Sequence, residues 1–144
     1  MGEGELPAQA REQIALTVGQ ANSCEYCLRA HSAIGKMVGL TADQVRRARL
    51  GGAEDTKVNA ILEFTSHLIE KRGHVSDDDL AALRSVGVSD GEIAEIVANA
   101  SLNLFTNYVN HVAQTEIDFP LAEQLSAGEK SDSCGCHDDK CSVA

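Results

Sequence analysis

Tryptophan is absent from this chain, and phenylalanine and tyrosine together supply only 3% of it. So few rings exclude the stacking platforms that bind single-stranded nucleic acid. An excess of positive charge is also missing: the formal net charge is -10. Nucleic acid and anionic membrane surfaces would be repelled, and no basic patch stands out. No apolar run approaches the roughly 18 residues of a membrane-spanning helix. The stretch from Met1 to Gln9 is short and acidic and has no apolar core, so it does not read as a signal peptide. A reducing, cytoplasmic setting is the resulting expectation. Proline occurs only at Pro7 and Pro120, near the two ends of the patterned region. Strand-like alternation is absent, so helices can run unbroken between them.

What remains is helical. With 144 residues and 43% apolar content, the chain is long enough for one globular domain with its own core. A first helix starts near Pro7 and runs to about Ala21. Asn22 or Ser23 can cap a second, and Asn22-x-x-Glu25 resembles a capping box. That helix ends near Gly39. Thr41-x-x-Gln44 opens a short third, stopped at Gly51-Gly52. A fourth runs from about Thr56 to Lys71, with Val58, Ile61, Leu62 and Thr65 on one face. Ser76-x-x-Asp79 opens a fifth and Ser89-x-x-Glu92 the longest, to roughly Thr115. The last is apolar over a wide arc, which places it at the centre of the fold or at a subunit interface. From about Ser126 the periodicity stops. The expected division is an all-α domain over residues 1–125 and a flexible, cysteine-containing tail over residues 126–144.

Five cysteines in a reducing setting point to metal binding or catalysis rather than to structural staples. Two of them, Cys24 and Cys27, stand three apart on the second helix. His31 follows at i+4 from Cys27, so all three share one face. If the first two helices form an antiparallel hairpin, Glu12 and His31 are nearly equidistant from the turn at Asn22, each roughly 14 Å from it. Glu12 could then reach His31, directly or through a water. A carboxylate would orient the imidazole, the imidazole would take a thiol proton, and the thiolate would attack. The helix macrodipole nominates Cys24 as the attacking sulfur, and His31 nominates Cys27. Sequence physics leaves that choice open. Other uses remain: two core cysteines, or a zinc site with a fourth ligand from the tail. A thioredoxin reading of CxxC expects a βαβ context that this chain lacks.

Taken together, Glu12, Cys24-x-x-Cys27 and His31 resemble the active-site signature of the alkylhydroperoxidase AhpD-like branch of the carboxymuconolactone decarboxylase superfamily. The text from Arg11 to Leu16, from Ala30 to Lys36 and from Asn107 to Pro120 is also similar. The resemblance implies an all-helical fold, assembled as a homo-oligomer, often a trimer or hexamer. It implies a thiol-dependent peroxidase or disulfide reductase that needs neither organic cofactor nor metal. Its substrate would be a hydroperoxide, and its reductant a thiol or a lipoyl group on a partner protein. It makes Cys27 the sulfur that becomes a sulfenic acid, Cys24 the proton donor and resolving thiol, and Glu12 with His31 the proton relay. Decarboxylases of the superfamily lack the cysteine pair. Some relatives carry histidine where Tyr26 stands here, so either the relay is one member short or Tyr26 shapes the pocket. The alternatives are a disulfide reductase that never meets peroxide and a zinc-stabilised, non-enzymatic sensor domain.

Two further groups stand out. Asn99, Asn103, Asn107 and Asn110, with His111, form a polar stripe along the longest helix. Asparagine is a poor interior helix residue, so each needs a partner. Helix-to-helix or subunit-to-subunit hydrogen bonding would satisfy them; alternatively, His111 and Glu116 line a pocket. In the tail, Cys134, Cys136, His137 and Cys141 could bind a soft metal, act as a redox arm or be incidental. His67 and His74 read as surface residues.

Overall fold

A computed structural model of the protein describes residues 4–125. The cysteines and histidine of the tail, Cys134, Cys136, His137 and Cys141, lie outside the described residues. Six helices make up the regular structure of that span: α1 (Ala8–Ala21), α2 (Glu25–Met37), α3 (Ala42–Arg49), α4 (Thr56–Glu70), α5 (Asp77–Ser85) and α6 (Asp90–Ala113). The described residues contain no strand.

The start signals of the later helices operate as their sequences imply. Thr41 with Gln44, Ser76 with Asp79 and Ser89 with Glu92 each close both hydrogen bonds of a capping box. Each box satisfies amides that would otherwise be orphaned, contributing about 1 kcal/mol to its helix. Asp55 caps α4 through the Val58 amide at 2.9 Å. Beyond α3 and α4 the chain turns through Gly51 and Gly73, whose φ angles of 79° and 85° suit glycine.

The beginning of α2 differs from the expectation. Neither Asn22 nor Ser23 caps it; Cys24 occupies the N-cap position and makes no side-chain capping bond. Asn22 instead ends α1. The connection is too short for a separate cap. Ser23 donates its amide to Gln20 O and Cys24 donates its amide to Gly19 O, so the turn is closed by α1's last carbonyls. Ser23 takes φ 52° to make this reversal. Pro7 likewise stands at the N-cap of α1 rather than inside its first turn.

The centre of the fold is α1, which packs against α2, α3, α4 and α6. Ile14, Leu16 and Val18 are fully enclosed, and Ala10, Ala15 and Gly19 let neighbouring helices approach closely. Each fully buried Leu or Ile stabilises the fold by roughly 1.5–3 kcal/mol. Thr17 sits in the same interior, and its hydroxyl is satisfied by Gln13 O and by Ala48 O of α3. One side of α6 packs on this core through Ile96 and Ala100. The other is exposed at Leu102, Phe105, Tyr108, Val109 and Val112. The helix is therefore not enclosed on all sides. The N-terminal segment is pinned to α6: Glu95 accepts the Glu5 and Leu6 amides at 2.6 and 3.0 Å.

Candidate active site

The α1–α2 hairpin carries the sequence constellation. At Gly19 the two helices touch closely enough that a Cβ would come within 3.7 Å of Cys27 Cβ. Further from the turn, Glu12 Oε2 of α1 lies 2.8 Å from His31 Nδ1 of α2. A carboxylate in that position takes the Nδ1 hydrogen and fixes the ring, leaving the Nε2 lone pair as the basic atom.

Both sulfurs are enclosed, with Cys24 1% and Cys27 3% exposed. Both are free thiols. Their surroundings separate them. Burial, and then the hydrogen bond and charge of neighbouring Cys27, push the Cys24 thiol up to about 11. At the cap position the sulfur is buried, and this desolvation outweighs the Cys27 backbone amide, which pulls the other way. Cys27 is met from across the fold by Asn110 of α6, whose Nδ2 lies 3.3 Å from the Cys27 sulfur.

A groove of about 380 Å³ opens beside the imidazole–carboxylate pair. Glu12, His31 and Arg11 wall one side, and Asn99, Asn103 and Thr106 of α6 the other. The asparagine stripe thus has two uses. Asn99 and Asn103 donate their side-chain amides back to the carbonyls of Glu95 and Asn99 in their own helix. Asn107 and Asn110 reach the α1–α2 turn instead. Asn107 Oδ1 accepts from Asn22 at 3.0 Å, and Asn110 meets Cys27. His111 and Glu116 are exposed and do not line the groove beside His31. His67 lies at the surface with its side chain 45% exposed, and its Nδ1 is 2.8 Å from Asp79 Oδ1.

Past α6, Gln114 takes a left-handed φ of 49° and the chain turns back toward α2. Phe119 then meets Tyr26 edge-on, with ring centroids 5.6 Å apart. Tyr26 is thus part of an aromatic wall at the CxxC. Further along, Arg49 is buried and donates to the Glu123 carbonyl and to Gln20 Oε1, the latter at 2.9 Å. Burial lowers the pKa of this guanidinium from its ordinary value, and the nearby charges of Glu25 and Glu123 oppose the shift. This strap was not foreseen. Pro120 marked only the end of periodicity, and nothing local shows that Phe119 folds back.

Among the described residues, no group of three or more His, Cys, Asp or Glu side chains converges as a metal site, so Cys24, Cys27 and His31 do not form one between them. No helix there is long and apolar enough to cross a membrane.

Residues 1–67, which include Glu12, Cys24, Cys27 and His31, match the carboxymuconolactone decarboxylase family. Among solved structures, an uncharacterized peroxidase-related protein from Silicibacter sp. TM1040 superposes with a TM-score of 0.74 at 25% identity, covering 81% of this chain and 62% of that one. A second, described as an alkylhydroperoxidase AhpD core, is an uncharacterized peroxidase-related protein from Ralstonia eutropha JMP134. It superposes with a TM-score of 0.68 at 29% identity, over 77% of this chain and 60% of that one. The chain is thus similar to the carboxymuconolactone decarboxylase family over its first 67 residues, and in fold to the AhpD core. Its all-α architecture is the AhpD-like one. It spans about three fifths of the length of these two solved relatives. No curated protein matches it. The family match ends before α6, so it includes Glu12, Cys24, Cys27 and His31 but not the α6 asparagines.

Proposed function

We propose that this AhpD-like protein is a thiol-dependent peroxidase that reduces hydroperoxides with the Cys24–Cys27 dithiol. The observation that carries the reading is the Glu12–His31 pair, held at 2.8 Å one helical turn from Cys27. A buried thiol pair without a base is a packing feature; beside an oriented imidazole it has a route for its proton.

In this reading His31 Nε2 accepts the Cys27 proton, directly or through one bridging water, while Glu12 stabilises the resulting imidazolium. The Cys27 thiolate attacks the nearer peroxide oxygen. An S–O bond forms, the O–O bond breaks, and the departing alkoxide takes the proton back from His31. Cys27 is left as a sulfenic acid. Cys24, kept protonated by its buried position, then attacks that sulfur. The S–S bond forms, the S–O bond breaks, and hydroxide leaves with the Cys24 proton as water. A thiol donor, or a lipoyl-type dithiol on a partner protein, returns two electrons to the disulfide. No organic cofactor or metal takes part.

A homo-oligomer, trimeric or hexameric as in similar proteins, fits the exposed side of α6. From Ile96 to Thr115 the chain has no Asp, Glu, Lys or Arg, although its net charge is -10. A like-charged protein can bring that face against a copy of itself with little repulsion. Light scattering on the full chain reads the state directly, and a monomer at micromolar concentration overturns it.

The activity is tested by following consumption of hydrogen peroxide and an organic hydroperoxide in the presence of a dithiol. Peroxide consumption that Cys27→Ser abolishes supports the reading. Reduction of protein or small-molecule disulfides with no peroxide consumption would assign the site to disulfide reduction instead.

A further inference from the structure

Asparagine in the middle of a helix calls for a reason, because its side chain competes with the backbone for hydrogen bonds. Of the four in the α6 stripe, Asn99 and Asn103 bond back to carbonyls one turn earlier, and Asn107 accepts from Asn22. Asn110 does neither. Its side-chain amide is directed at the Cys27 sulfur, 3.3 Å away across the interface between α6 and α2. The amide is only partly buried, so water could satisfy it without this contact.

A sulfur is a weak acceptor as a thiol and a much stronger one as a thiolate. An N–H held against it therefore does little for the protonated form and much for the ionised one. The opposite amide orientation would set the Oδ1 lone pairs against those of sulfur, which is repulsive once Cys27 ionises. The backbone on which Asn110 stands is fixed, because its carbonyl accepts the Gln114 and Thr115 amides that close α6. One turn earlier, Asn107 holds Asn22, two residues before Cys24. Through this pair α6 grips the turn that precedes Cys24 and the sulfur of Cys27.

We propose that Asn110 is a catalytic residue, its amide N–H stabilising the Cys27 thiolate and so making Cys27 the attacking sulfur. The inference rests on the peroxidase reading for its place in a reaction, but its physical content concerns only the ionisation of Cys27. The other ionisable groups around that sulfur are Cys24 and Glu25 at the head of α2, His31 one turn on, Glu12 of α1, and His111 beside Asn110 on α6. The two carboxylates oppose a further negative charge here. His31, Asn110 and the amino end of α2, in whose first turn Cys27 stands, favour it.

The test is the rate at which iodoacetamide modifies Cys27 in the full-length, reduced protein, followed across neutral and alkaline pH. Peptide mass spectrometry separates Cys27 from the other thiols. Asn110→Ala should slow modification at neutral pH about tenfold, the size of one hydrogen bond to a charged group, and move the rate profile toward alkaline pH. Asn110→Asp keeps the size but puts a carboxylate against the sulfur, and should slow it further. A purely packing role predicts something different: loosening would speed modification at every pH and leave the profile in place. Wild-type rates and profiles in a folded Asn110→Asp variant would overturn the proposal, even if Asn110→Ala does not fold. The assay uses no peroxide. If peroxide leaves wild-type Cys27 untouched, the peroxidase reading fails while the alkylation profile still decides the role of Asn110.

Discussion

Glu12 and His31 face each other across the α1–α2 hairpin, Oε2 to Nδ1 at 2.8 Å, each with about a fifth of its side chain exposed. The pair is neither sealed in the core nor free in solvent, which suits the proton relay proposed for it.

Removing the charge from Glu12 should therefore affect chemistry more than packing. Glu12→Gln retains the size and one hydrogen bond but no longer stabilises an imidazolium. We expect sulfenic acid formation at Cys27 to slow by roughly a hundredfold, the lower range for general acid–base catalysis. Trapping the sulfenic acid with a dione reagent gives the rate, and a melting curve close to that of the parent shows that the fold is intact.

Cys24 should report its surroundings directly. Its thiol is pushed up to about 11, first by burial and then by Cys27. In Cys27→Ser the second cause disappears and the first remains. Thiolate absorbance should therefore show Cys24 titrating below its value in the parent, yet above that of an exposed thiol. An ordinary exposed-thiol titration would mean that burial is not what holds the proton. Because the folded state retains this proton through alkaline pH, stability should fall as pH rises from the unfolded-thiol value toward about 11.

The strap bearing Phe119 lies against Tyr26, inside the CxxC. Phe119→Ala loses an edge-to-face contact worth about 0.5–1.5 kcal/mol. A bulky dithiol should then reduce the Cys24–Cys27 disulfide several times faster, while hydrogen peroxide, which needs little room, reacts at an unchanged rate. Stopped-flow measurements of the two half-reactions separate these effects. Equal acceleration of both would mean that the strap shields the site without discriminating by size.

Acid should unfold the protein partly through two helix starts. Lys71 and the Ser76 amide hold the Asp79 carboxyl well below its ordinary range, and Lys57 and the Ser89 amide lower that of Glu92. A carboxyl depressed in the folded state contributes its full stabilisation above the unfolded value and loses it as pH falls through the folded one. Melting temperature should drop below about pH 4. Lys57→Met should shrink the part of that drop due to Glu92. An unchanged pH dependence in this variant would contradict the assignment.

Much of this was legible in residues close together in the chain. Three capping boxes set the starts of α3, α5 and α6 because Thr41, Ser76 and Ser89 act on amides only three positions away. Glu12 and His31 could be paired by counting residues from one short turn. Asn110 and Phe119 could not be placed in this way. Asn110 reaches the CxxC from the last turns of a long helix and Phe119 from beyond it, and their contacts depend on how α6 crosses α1 and α2. Periodicity alone also did not identify the central helix. The wide apolar arc of α6 allowed either the centre or a subunit interface, whereas α1, with its alanines, glycine and threonine, fills the interior because small side chains allow four helices to pack against it. The competition between the helix dipole and burial at Cys24 likewise needed the burial itself.

The central claim is that Cys27 attacks peroxide and Cys24 resolves the product. The most direct measurement treats the reduced protein with one equivalent of hydroperoxide, traps it at short times and maps each thiol by mass spectrometry. The account predicts sulfenic acid on Cys27 first, then a Cys24–Cys27 disulfide, with Cys24→Ser stopping at the sulfenic acid. Oxidation that begins at Cys24, or that is confined to Cys134, Cys136 and Cys141, would contradict it.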